Sequence, residues 1–462
     1  MNRAGLRRSA RQIAPLAWPV FVGQVSVLAF GTVDTLLVAR YASQDLAALA
    51  VGSAAYITVF IGLMGVVLAL GPIVGQLHGA GNPRQAGRQV HQALWVAMGL
   101  AAAGSTLLAF PEPFVALSKA DPQVADKIRG YLLALAFSLP ASLLFTVFRG
   151  FNTAVSRPKA VMALQLGGLA LKIPLSTAMV WGVPALGIPA LGVTGCGLAT
   201  CIAMWSQVLL AWVVIRRDPF YARFELLGRG LDAPDRRALL AHLKLGLPMG
   251  GSILVEVSGF SFMAIFISQL GTTAAAGHQI AVNVVTLMFM VPLAMASACS
   301  TLASQAVGAR DLESARRLAL HGLLFACGIA GVLGAAVSWL AAPILGLYTA
   351  DAAVAAAAMP LFTWLALFHL ADAAQTVAAF ALRAWRIATV PLLVYTLSLW
   401  GVGLGGGYLV AFDVTGLTPP SLRGATGFWA TATVGLTLAA LALSAFLLWR
   451  VSPARQTAAV SA

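Results

Sequence analysis

Gly-Gln-Leu-His-Gly-Ala-Gly-Asn-Pro-Arg at 75–84 returns as Ser-Gln-Ala-Val-Gly-Ala-Arg-Asp-Leu-Glu at 304–313. Outward from these two stretches, Pro19, Ala47, Gln76, Gly79, Ala80, Ala86 and Arg88 recur as Pro248, Ala276, Gln305, Gly308, Ala309, Ala315 and Arg317, always at one offset (248 − 19 = 229). In each copy Gly-Ala closes a helix and a short polar turn follows, which is first of all a structural use of glycine. The flanks of both copies are apolar enough to span a bilayer. A register held without a gap over about seventy residues marks a duplicated unit. Two similar membrane halves point to a transporter whose substrate path lies between them.

Composition agrees. Of 462 residues, 60% are hydrophobic and 10% charged, against roughly a quarter charged in soluble domains. Apolar stretches close to the ~20 residues needed to cross hydrocarbon follow one another almost end to end. Twelve spans are expected, at about 13–39, 52–77, 91–112, 128–150, 159–181, 192–215, 240–268, 279–305, 317–345, 353–382, 388–411 and 425–449. Arg3, Arg7, Arg8 and Arg11 precede the first span, which contains Pro15 and Pro19 and no small-residue cleavage site, so it reads as an anchor. The net charge of +14 is not a nucleic-acid footprint, because its placement is one-sided. Twenty-three of the 29 Lys and Arg fall on the side of the N-terminus, five (Arg40, Lys119, Lys127, Arg129, Arg423) on the other, and Lys172 lies inside a span. That is the positive-inside bias, and it expects both termini in the cytoplasm of a multi-pass inner-membrane protein.

The division expected is a six-helix half over 1–215, a cytoplasmic linker over 216–239 and a second six-helix half over 240–462, in parallel arrangement about an axis along the membrane normal. The linker region from Arg216 to Lys244 is the longest polar stretch and carries seven basic residues. The four cysteines all fall in apolar spans without metal-ligand spacing that matters. His278 and His369 are candidates to line a cavity. Gly401, Gly403, Gly405, Gly406 and Gly407 follow no strand and precede no Lys-Ser/Thr, so they are no phosphate loop. Without a nucleotide-binding loop, ATP cannot drive transport from within this chain.

Few ionisable residues sit well inside a span: Asp34, Glu256, Asp372 and Lys172. Each costs about 2.5–3.5 kcal/mol on insertion scales, which makes each a functional candidate. Glu256 and Asp372 belong to one half. If the bundle brings them together, two carboxylates in low dielectric must share a proton or hold a cation. Na⁺, a hard ion that takes oxygen ligands, or H⁺ would serve as coupling ion there, with no other cofactor. Asp34 lies in the other half, where the offset places it opposite Met263, while Glu256 stands opposite Val27. Asp34 is the sole intramembrane acid available to pair with Lys172 in that half.

The strings Val-Asp-Thr-Leu-Leu-Val-Ala (33–39), Gly-Cys-Gly-Leu-Ala-Thr (195–200), Leu-Gly-Thr-Thr-Ala-Ala-Ala-Gly-His-Gln-Ile-Ala-Val-Asn (270–283) and Ala-Leu-Arg (381–383) resemble the NorM branch of the MATE multidrug and toxic compound extrusion family. The resemblance runs over almost the whole chain in the family's order. It implies a V-shaped pair of six-helix lobes exporting cationic, amphipathic compounds in exchange for Na⁺ or H⁺. By it, Glu256 and Asp372 match the family's cation-site acids in the C-terminal lobe, and Asp34 its N-terminal-lobe acid. Two departures stand out. After Ala-Leu-Arg the family's Gly-x-x-Asp is replaced by Ala-Trp-Arg-Ile (384–387), and Lys172 and Ser176 flank Ile173-Pro174-Leu175 where asparagines are usual.

Aromatic side chains would complete a pocket for lipophilic cations through cation–π contact. Phe30, Tyr56, Phe260, Phe289 and Phe368 are the candidates, with Met288 as an adaptable wall. The expected partners are the bilayer and small amphipathic cations, without nucleic acid, and the expected state is a monomer. The competing reading is a lipid-linked oligosaccharide flippase, which calls for a more cationic cavity than three acids and one lysine provide. An intramembrane enzyme would need a motif such as His-Glu-x-x-His or Gly-x-Ser-x-Gly, and neither occurs.

Overall fold

The computed structural model describes residues 3–118, 120–228 and 230–452. Of the basic residues used above for topology, Lys119, Arg229 and Arg455 lie outside that range. Twelve helices are long and apolar enough to cross a membrane: α1 Arg3–Ala39, α2 Ser43–Gly79, α3 Pro83–Ala109, α4 Pro122–Ala154, α5 Pro158–Trp181, α6 Gly192–Arg217, α7 Arg236–Ser268, α8 Thr272–Gly308, α9 Leu312–Trp339, α10 Ala352–Arg383, α11 Thr389–Ala411 and α12 Ala425–Arg450. Among the described residues there is no β-strand, only an isolated bridge between Val183 and Ile188.

The helices outrun the apolar spans at their ends, because hydropathy sees the hydrocarbon core and not the turns beyond it. Local chemistry sets the boundaries. Pro83, Pro122 and Pro158 open α3, α4 and α5 in the first turn, where a missing N–H costs nothing. Asp311 caps α9 by accepting from the Ser314 amide at 2.9 Å, and Asp351 caps α10 through Ala353 at 2.8 Å. The ninth span stops at Trp339, not at 345, and a separate helix Ala341–Tyr348 follows. Pro343 falls in the first turn of that next helix, where its missing amide hydrogen costs nothing, so the chain restarts there readily. In α11, Gly401, Gly403 and Gly405 lie in a π-helical segment, Thr396–Gly405, a widened turn within the helix, and Gly406 and Gly407 open the α-helical turns that follow.

Packing divides the chain into two compact units, Val22–Gly250 and Met1–Phe21 with Gly251–Ala462. The six-plus-six division at 216–239 is one of sequence, whereas packing places the first turns of α1 and of α7 with the other half's helices. In the first unit α4 is the central helix, packed by α2, α3 and α6. Ile128, Leu132, Leu135, Leu139, Leu143 and Phe151 form its core face. The start of α7 joins this unit at Gly246, where a Cβ would lie 2.4 Å from the Val66 carbonyl oxygen. In the second unit α10 takes the central place, packed by α8, α9 and α12. Ile13 of α1 packs there with Ala298, Cys299 and Leu318, and Ser9 Oγ bonds His321 Nδ1 at 2.8 Å. A Cβ on Gly435 would meet the Ser398 carbonyl at 2.5 Å, so α12 fits the π-helical segment only as glycine.

The linker is more than a tether. Between α6 and α7, Pro219–Phe224 forms a 3₁₀ helix whose Tyr221 and Phe224 are buried in the first unit's core. Tyr221 Oη donates to Asn152 Oδ1 at 2.6 Å, and Trp95 Nε1 donates to the Asp232 carbonyl at 2.9 Å. Gln92 clasps the far end, donating to the Ala233 carbonyl at 2.9 Å and accepting from the Asp235 amide at 2.7 Å. Asp218 accepts from the Phe220 amide and pairs with Arg157, and these two donors hold its carboxyl below the usual carboxylate range.

Candidate functional site

The second unit brings Glu256 of α7 and Asp372 of α10 to one amide. Gln375 sits one turn along α10 from Asp372, so both project from the same face. Its Nε2 donates to Asp372 Oδ1 at 2.9 Å and lies 3.3 Å from Glu256 Oε1 and 3.0 Å from Thr376 Oγ1. Tyr395 of α11 donates its hydroxyl to Gln375 Oε1, which fixes which end of the amide faces the acids. Asp372 and Gln375 are buried, and Glu256 is half-buried. Three helices thus hold two carboxylates around a shared donor. Two carboxylates with the Thr376 hydroxyl beside them offer oxygen ligands, which suit a hard cation or a shared proton.

Arg383, at the end of α10, is buried with its guanidinium 3.7 Å from the Phe380 ring centre, within electrostatic reach of Glu256. Of the histidines weighed as cavity-lining, His278 accepts from Trp429 Nε1 at 3.2 Å. His369 is fully buried and, among the described residues, neither of its ring nitrogens is hydrogen-bonded.

The first unit holds the other pair. Lys172 of α5 is fully buried; its Nζ lies 2.9 Å from Asp34 Oδ2 of α1 and 2.5 Å from Thr200 Oγ1 of α6. Ser176 Oγ, one turn along α5, donates to Asp34 Oδ1 at 3.4 Å. The ammonium also lies 5.3 Å from the Phe30 ring centre. Thr200 spends its own hydrogen on the Cys196 carbonyl at 2.9 Å, which leaves its oxygen free to accept from the lysine.

The aromatic candidates separate. Phe30 faces Lys172. Tyr56 bonds Ser142 Oγ at 3.0 Å and stacks on Phe60 at 5.8 Å. Phe260 packs edge-on to Phe368 at 5.7 Å, and Phe368 in turn meets Trp429 at 5.2 Å. Phe368 and Met288 are buried in the second unit's core, while Phe289 is half-buried. Sequence reasoning passed over Gln375, Tyr395 and Thr200, whose neutral side chains carry no charge to mark them within a span. It also passed over Asp45, outside the apolar spans. Asp45 is buried, accepts from the Val193 amide at 2.9 Å and pairs with Lys127.

Comparison with known proteins follows the same lines. The MatE family model matches twice, over residues 19–177 and 248–409, and the two matches begin at the offset of the repeat. The chain is 39% identical over 426 residues to a probable multidrug resistance protein NorM of Aromatoleum aromaticum, covering 92% of this chain and 91% of that protein. It is 37% identical over 447 residues to a probable NorM of Chromobacterium violaceum, covering 96% and 95%. Among solved structures, the eukaryotic MATE transporter AtDTX14 superposes with a TM-score of 0.85 at 17% identity, covering 98% of this chain and 99% of that one. With twelve apolar helices and these bacterial relatives, the protein is a multi-pass inner-membrane protein in contact with the bilayer. The chain belongs to the MatE family.

Proposed function

We propose that this MatE-family chain exports amphipathic organic cations by alternating access, exchanging each for Na⁺ or H⁺ at the pair Glu256 and Asp372. The observation that carries the reading is the shared amide: two acids from different helices meet at Gln375 inside membrane-spanning helices. Such a pair is neutralised by one inorganic cation or proton, and releasing that partner leaves charge that an organic cation can satisfy. The half-buried Phe260 and Phe289 in the same unit supply faces for lipophilic cations. Two relatives named as multidrug resistance proteins support the substrate class. The one-sided basic charge supports cytoplasmic termini, and we take the working unit to be a monomer.

The test is dye efflux from proteoliposomes with Na⁺ and pH gradients imposed separately. Efflux under at least one gradient, abolished in Glu256→Gln and in Asp372→Asn while both variants remain folded, is expected. No efflux under either gradient would overturn the exporter reading, and wild-type efflux in both variants would move the coupling site elsewhere.

A further inference from the structure

We infer that the cage around Asp34 is an ammonium-binding site whose resident cation is the chain's own Lys172, so that cation exchange is confined to Glu256 and Asp372. Only the last clause rests on the exporter reading above; the occupancy of the cage stands on its geometry.

An alkylammonium ion is held well by a carboxylate, a hydroxyl oxygen and an aromatic face, each taking up one direction of the charge. Those are the groups around Lys172 Nζ: Asp34 Oδ2 at 2.9 Å, Thr200 Oγ1 at 2.5 Å and the Phe30 ring at 5.3 Å. The second carboxylate oxygen is engaged by Ser176 at 3.4 Å. Three helices and two turns of α5 therefore build a complete receptor for one ammonium group, and Lys172 fills it with no exposed surface. A tethered cation differs from a free one in a single respect. It cannot leave, because its backbone is fixed in the middle of α5, and a free cation of the same chemistry must first displace it at a very high effective concentration. Asp34 is thus neutralised permanently from within. In the second unit, among the described residues, neither Glu256 nor Asp372 makes a direct ion pair with a lysine or arginine; the single buried Arg383 acts on Glu256 only at a distance, so at least one of the two acids is left for a coupling ion to balance.

Truncating Lys172 to alanine removes three carbons and a nitrogen, the skeleton of n-propylammonium. Lys172→Ala purified in detergent should melt below the wild type. Millimolar n-propylammonium should raise its melting temperature by at least about 2 °C, whereas propan-1-ol should not. Wild type and the double variant Lys172→Ala/Asp34→Asn should not respond to either compound. If Lys172→Ala alone does not yield folded protein, the readout becomes recovery of monodisperse protein when n-propylammonium is present throughout purification. A rise in the double variant equal to that in the single one, or a foldable single variant that ignores n-propylammonium, would overturn the inference. So would a double variant that folds while Lys172→Ala fails with and without the amine, since the pair would then be a brace and not a binding site. None of these outcomes involves transport, so an inactive wild type in proteoliposomes would sink the exporter reading and leave the cage tested separately.

Discussion

Replacing Gln375 by methionine asks how much the shared amide holds. Methionine nearly matches the side chain in length and volume but donates nothing, so Asp372 Oδ1 loses a partner at 2.9 Å and Glu256 Oε1 one at 3.3 Å. Hydrogen bonds to charged groups are worth about 1.5–3 kcal/mol each. The 2.9 Å bond belongs in the middle of that range, and the longer one at or below its floor. The two together make about 3 kcal/mol, roughly a 150-fold change in an equilibrium constant. Gln375→Met should therefore melt several degrees below the wild type in detergent and lose at least about tenfold in ion-driven dye efflux. Tyr395→Phe is the graded control, because it removes only the hydroxyl that orients the amide. It should move both quantities in the same direction by about 0.5–1.5 kcal/mol equivalent. If Gln375→Met unfolds and transports like the wild type, the amide does not bridge the acids and the proposed site loses its centre.

Three further outcomes follow from other parts of the molecule. Because Lys172 is fully buried and 2.9 Å from Asp34, Lys172→Met or Asp34→Asn alone should each cost about 3–5 kcal/mol, and the double variant less than either; additive losses in thermal melts would exclude the pairing. Phe224, buried in the first unit's core, makes the linker part of the fold, so Phe224→Ala should cost about 3–5 kcal/mol, and an unchanged melting temperature would show the linker to be dispensable. Asp218 has its carboxyl held low by the Phe220 amide and Arg157, so the stability it contributes is complete above an unfolded value of about 3.9 and fades as pH falls through the lower folded one. The melting-temperature gap between wild type and Asp218→Asn should accordingly shrink from pH 5 downward, and a gap that widens would refute the sign.

The twelve spans were legible because the bilayer imposes a length and an apolar composition on every helix, and the repeat was legible because both copies solve one packing problem. The meeting of Asp34 and Lys172 was legible by elimination, as each is costly alone in hydrocarbon and the first half offers one of each. What could not be read were the neutral polar side chains that join the charged ones. Gln375 and Thr200 carry no charge and follow no period that separates them from helix-packing residues. Yet one bridges the two acids and the other completes the ammonium cage. The linker's docking was hidden for a related reason, since Gln92 and Trp95 bind backbone carbonyls, which every sequence supplies. Position 263 shows why the repeat stops short of the chemistry. The scaffold tolerates methionine there and aspartate at 34, because helix packing asks only for a side chain that fits. An ion site asks for charge and for something to answer it. In one unit the answer is Lys172 of α5, and in the other, on the exporter reading, it is the coupling ion. The halves share their packing and divide their charge, and on the proposal above that division would give a duplicated chain one exchangeable site instead of two.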